Sequence, residues 1–154
     1  MTDIGLALAV AALACVGGAA LADIRRFEIP DGWSIAVALL FAAFVAVEWP
    51  VAWWWHIAAG VAMFAVGVLL FARGWLGGGD VKLLAACALW TGFDGLPWLI
   101  AGTTLSGAVL AIVALLVRRA VGARATYRAF ETGGPLPYAV AILGGVGAYA
   151  VAAA

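Results

Sequence analysis

Charged side chains are scarce here: Asp, Glu, Lys and Arg make up 10% of the 154 residues, and eight acidic residues cancel eight basic ones. No cluster of Lys and Arg is dense enough to follow a phosphate backbone, which excludes nucleic acid as a partner. Cysteine occurs twice, at Cys15 and Cys87, each isolated in an apolar run. Two such thiols provide neither a disulfide framework nor a paired CxxC metal site, and both read as small buried hydrophobes. Histidine occurs once. His56 lies among tryptophans and reads as structural, so neither a metal nor a cofactor is expected.

Apolar residues are what the sequence has in excess, at 68% with a mean hydropathy of +1.16. Soluble domains do not reach these values, and the chain reads as an all-α, polytopic integral membrane protein forming one domain over residues 1–154. Ala20-Leu21-Ala22 resembles a signal-peptidase site, but a secretory signal opens with basic residues, and the first basic residue here is Arg25. The first apolar run therefore reads as a retained helix. A spanning helix needs about 20 apolar residues, and the runs predict six transmembrane helices: Ile4–Ala22, Trp33–Val47, Trp53–Ala72, about Leu76–Trp90, Leu96–Val117 and Leu136–Ala153. The fourth is apolar without interruption only from Leu83 to Trp90 and reaches spanning length only if Asp80 stands at its entrance.

Basic residues favour the cytoplasmic side of a membrane. Arg25, Arg26, Arg73, Lys82, Arg118, Arg119, Arg124 and Arg128 all fall in alternate connections of the six-helix scheme, whereas Asp3, Glu48 and Asp94 fall on the other side. Both termini are thus expected outside the cytoplasm. Trp49, Trp53, Trp54, Trp55, Trp90 and Trp98 form an outer aromatic belt, with Trp33 and Trp75 at the inner interface. The stretch Arg118 to Gly134 reads as an amphipathic segment attracted to membrane lipid.

This topology brings Asp23, at the end of helix 1, and Asp80, after the glycine run of "GWLGGGDVK", to the same cytoplasmic face. Either alone reads as a boundary or cap residue. Together they suggest chemistry, because carboxylates in or near lipid are costly and tend to face a water-filled interior. Two adjacent aspartates do not ionise together easily, and a shared proton lets one activate water while the other protonates the leaving group. Gly77, Gly78 and Gly79 allow the backbone of a peptide ligand to approach closely. Lys82, two residues beyond Asp80, points to another helical face; it could meet a substrate terminus or a headgroup, or simply snorkel to the interface. Asp31, after Pro30, reads as the cap of helix 2.

Asp23 with the following "IRRFEIPDGW" resembles the D-x6-(I/L)-P-(N/D) segment of type IV prepilin peptidases. "GGGDVK" matches their GxGDxK motif through Gly77, Gly79, Asp80 and Lys82, and "PLPYAVAILGG" is similar to their Pro-x-Pro-Tyr/Phe approach to the last helix. The resemblance implies a GxGD-type aspartic endopeptidase with Asp23 and Asp80 as the catalytic pair. It implies Gly77, Gly78, Gly79 and Lys82 as the substrate-binding strip. The implied substrate is a pilin-like precursor with a basic leader ending in glycine and an apolar helix, cut at the cytoplasmic face of the inner membrane of a prokaryote, with pilus assembly machinery as a further partner. Larger members also N-methylate the new terminus and carry a CxxC-bearing insertion. Asp23 to Gly32 is ten residues without cysteine, which resembles the short form of Flp/Tad-type pilus assembly and gives no basis for methylation.

Two other readings use the same carboxylates and a third does without them. A presenilin-like intramembrane protease shares the GxGD aspartate, but its other aspartate follows tyrosine, whereas Asp23 follows Ala22. A small transporter or channel would bind a proton or ion between them, and a scaffold for pilus assembly would need neither.

Overall fold

The computed structural model describes residues 2–50, 52–121 and 136–153, and these form five helices and no strand. They are α1 (Asp3–Arg26), α2 (Asp31–Glu48), α3 (Trp53–Ala72), α4 (Gly78–Val121) and α5 (Tyr138–Ala152). The first four are long and apolar enough to cross a membrane, and α5, at 15 residues, is shorter. Leu6, Val10, Leu39, Val61 and Leu105 are among many large side chains left exposed on these helices, as suits a multi-pass protein whose outer surface meets lipid. The 122–134 part of the expected Arg118 to Gly134 surface segment lies outside the described residues; Arg118 and Arg119 form the last turn of α4.

The two spans expected at Leu76–Trp90 and Leu96–Val117 are joined in the single helix α4, so there are five helices where six were expected. The reason is local. Gly92 takes φ 61° and ψ −174° inside α4, a conformation open essentially to glycine alone, and one such residue turns the chain without a loop. The packing of the two arms, 78–91 and 93–121, reveals the reversal. Along the first arm α3 runs antiparallel, with Gly60 against Ala85 and Leu89 and Gly67 against Val81. Along the second arm α5 runs antiparallel, with Tyr149 beside Gly95, Gly145 beside Leu99 and Thr103, and Tyr138 beside Gly107. Tyr138 shares a cleft with Asp80, so residues 80 and 107 lie at one end of the molecule and Gly92 at the other.

His56 holds this break. Its Nδ1 donates to the Leu89 carbonyl at 2.9 Å, an acceptor whose helical partner, the Phe93 N–H, lies across Gly92. The imidazole also stacks on Phe41 at 5.8 Å, and a Cβ at Gly92 would meet it at 3.0 Å. The structural reading of His56 thus acquires a specific content: it is a tertiary cap.

Small residues set how closely the helices approach, as is usual in membrane bundles. A Cβ at Gly18 would strike the Trp33 ring at 2.5 Å, and one at Gly145 the Leu99 carbonyl at 2.5 Å. The core they enclose joins Val16 and Ala20 of α1, Val37 of α2, Leu83, Cys87 and Leu99 of α4, and Ile142 of α5. Trp90 Nε1 ties α4 to the Val37 carbonyl of α2 at 3.0 Å. At the far end from Asp80, Thr2 caps α1 by accepting from the Gly5 N–H and also bonds the Glu48 carboxylate, clasping α1 to α2.

Candidate active site

Helix α1 runs four residues beyond the span expected from apolarity, so Asp23 lies within its last turn instead of following it. Arg25 and Arg26 favour that extension, since cations suit a helix C-terminus. The helix stops at Phe27, which adopts the left-handed conformation at φ 54° and donates to the Asp23 carbonyl. Asp23 itself is 5% exposed. Its Oδ2 accepts the backbone N–H of Ala139 at 2.8 Å, in the first turn of α5, where helical N–H groups have no partner of their own. The carboxylate therefore serves as a cap for a helix 116 residues away.

Asp80 occupies the corresponding place on α4. Gly77 precedes the first helical residue, and Asp80 Oδ2 reaches back to its N–H at 3.2 Å. This is the reciprocal half of a capping box, with an acid at the third helical position satisfying the N–H at the cap. Each aspartate thus has one oxygen anchored to a backbone N–H at a helix N-terminus.

Both line one cleft of about 460 Å³, together with Phe27, Glu28, Ile29, the glycines 77, 78 and 79, Leu136 and Tyr138. A Cβ at Gly79 would come within 3.0 Å of Ile29 Cβ and 3.3 Å of its carbonyl oxygen, so the glycine run is what lets the α1–α2 loop close over α4. A pair of carboxylates in a partly enclosed, water-accessible cleft can activate a water and protonate a leaving group. No group of three or more potential metal ligands occurs among the described residues.

Five of the six expected site residues, all but Asp23, come from the α4 entrance, and the structure separates one of them from the rest. Gly77, Gly78, Gly79 and Asp80 share the cleft with Asp23, but Lys82 turns away from it. Its Nζ meets both oxygens of Asp31 at 2.7 Å and borders a separate groove between α2 and α3. Asp31 accordingly differs from its expected role. It is the first residue of α2 and not its cap, and no side chain among the described residues caps that helix. Two contributors were not foreseen. The Ala139 N–H carries no side-chain signature, while Tyr138 lay within the Pro-x-Pro-Tyr motif, whose second proline, Pro137, immediately precedes α5.

Neither the curated proteins nor the solved structures gave a significant match to the chain. A sequence model of the type IV leader peptidase family matches residues 6–112. That span runs from within α1 into the second arm of α4, with Asp23, the glycine run and Asp80 inside it. On this match this multi-pass membrane protein belongs to the type IV leader peptidase family.

Proposed function

We propose that the chain is a prepilin leader peptidase, an aspartic endopeptidase that hydrolyses the bond after the leader glycine of pilin-like precursors. The observation that carries this reading is the meeting of Asp23 and Asp80 in one cleft, each with one oxygen fixed by a backbone N–H. The family match supports the substrate class, since leader peptidases imply a pilin-like precursor. In the proposed reaction a water lies between the two carboxyl groups. One aspartate, ionised, takes a proton from it as the oxygen adds to the scissile carbonyl carbon. The other, protonated, supports the developing oxyanion and yields its proton as the C–N bond breaks and the amine departs. Gly77, Gly78 and Gly79 form the strip on which the extended junction lies.

In this reading α1, α2, α3, the two arms of α4 and α5 make six crossings. Both termini then face away from the cytoplasm, and the cleft opens toward it, beside Arg25, Arg26 and Arg73, in the inner membrane of a prokaryote. The first arm of α4, 14 residues between Gly78 and Gly92, rises only about 21 Å at 1.5 Å per residue. That shortness draws its polar entrance toward the membrane boundary.

Co-expression of a pilin precursor with wild type, Asp23→Asn and Asp80→Asn proteins tests the proposal. Wild type should trim the leader, and each variant should do so some 10²- to 10⁴-fold more slowly, the usual contribution of a positioned acid or base. Unimpaired trimming by either variant refutes it.

A further inference from the structure

Asp23 and Asp80 belong to helices that scarcely touch. Helix α1 packs on α2 and α5, and α4 packs on α2, α3 and α5, so the two carboxylates meet through intermediaries and not by direct contact of the helices that carry them. A cavity of about 220 Å³, lined by Val10 and Leu13 of α1, Cys87 and Trp90 of α4 and Val146 of α5, lies between them. On the α5 side, the tie at the cleft is the bond from the Ala139 N–H to Asp23. On the α2 side it is the ion pair in which Lys82 Nζ meets both oxygens of Asp31 at 2.7 Å.

Lys82 stands near the N-terminus of α4, where the helix dipole disfavours a cation, so its own helix does not account for it. Both side chains of the pair are half exposed, at 46% for Lys82 and 59% for Asp31, and a pair so open to solvent adds little to stability. What it fixes is position. Asp31 is the first residue of α2, and the loop leading to it, residues 27–30, is held at three points. Phe27 donates to the Asp23 carbonyl at 2.8 Å, Ile29 lies against Gly79, and Asp31 is pinned to Lys82, two residues beyond Asp80. Phe27, Glu28 and Ile29, which line the cleft with the glycine run, are thus strung between an anchor on the Asp23 side and an anchor on the Asp80 side.

We infer that the Lys82–Asp31 pair is a positioning clamp of the active site: by pinning the start of α2 to the entrance of α4, it holds the Phe27–Ile29 loop over the glycine run and sets one wall of the cleft against the other. The assignment rests on the leader peptidase reading and gives Lys82 a role through Asp31 instead of a direct contact with substrate.

Loop exchange and trimming, measured on the same full-length proteins in detergent, test it. In Lys82→Met and Asp31→Asn, amide exchange across residues 27–33, including the Trp33 N–H that the Pro30 carbonyl accepts at 3.1 Å, should quicken roughly two- to fivefold. The thermal midpoint should stay near that of wild type. For a full-length pilin precursor, kcat/KM should fall roughly tenfold in each variant. The double variant should fall no further than either single one, because both substitutions remove the same contact, and Lys82→Arg, which can still meet both oxygens of Asp31, should recover most of the loss. Unchanged loop exchange or unimpaired trimming in either single variant overturns the clamp. So do losses that multiply in the double variant, or a loss in Lys82→Met that Asp31→Asn does not share, since either would have Lys82 act on the substrate by itself. Wild-type protein, assayed alongside, separates the two failures: no trimming removes the peptidase reading, whereas trimming with unchanged loop exchange in both variants removes the clamp alone.

Discussion

A methyl group at position 77 would lie 2.6 Å from Asp80 Oδ2. The carboxylate is the movable partner, so Gly77→Ala should fold normally while displacing the oxygen that the Gly77 N–H now holds. A shift of about 1 Å in a reacting group can cost on the order of 10²-fold in rate. Gly77→Ala is therefore expected to lower kcat for precursor trimming by roughly 10- to 100-fold, with the helical circular dichroism spectrum unchanged; full activity would show that Asp80 needs no such anchoring. At this scale the sequence singled out most of the side chains that the structure gathers in the cleft. Asp23, Asp80 and the three glycines were all legible, because a carboxylate in an apolar chain and a glycine run both stand out. Ala139 was not, since what it contributes is an amide that any residue except proline would supply. Lys82 was legible as a residue but not in its direction. Two positions along a helix rotate a side chain by roughly 200°, and only the position of Asp31 across the groove decides what it meets.

Helix α4 shows where reading elements from apolar runs succeeds and where it stops. The two runs on either side of Gly92 were evident, and so was the need to reverse between them. That the reversal takes a single residue was not, because it depends on His56, 36 positions earlier, donating to the Leu89 carbonyl beside the break. Position 92 should consequently tolerate no side chain. Gly92→Ala combines a left-handed φ with a methyl against the imidazole, and a loss of about 1–3 kcal/mol is expected from the backbone conformation alone. His56→Ala should cost about 1–3 kcal/mol by leaving the carbonyl unsatisfied. Thermal unfolding in detergent measures both. Because the two substitutions act on one contact, their effects in the double variant should fall short of the sum; strict additivity would dissociate the histidine from the break. The extension of α1 through Asp23 is a smaller example of the same limit. Hydropathy ends where charge begins, whereas the helix continues until Phe27 turns left-handed.

For the molecule as a whole, the proposed reaction imposes a condition on protonation. Trimming requires one carboxyl of the pair ionised and the other protonated. As pH falls the base is lost, and as pH rises the acid is lost, so the pH profile of kcat should be bell-shaped with two limbs that belong to the coupled pair and not to either residue. A profile flat across the carboxylate range would contradict an aspartate pair. The residual activity of either asparagine variant should lose the bell, since a single remaining carboxyl gives a single limb.

The bond between Asp23 and the Ala139 amide also carries a consequence for biosynthesis. On the ribosome, α1 and the glycine run emerge well before α5, so a nascent chain holds both aspartates while the amide that orients one of them has yet to be made. Catalytic competence would then wait for α5, and the growing chain would be silent toward its neighbours in the membrane until that helix docks.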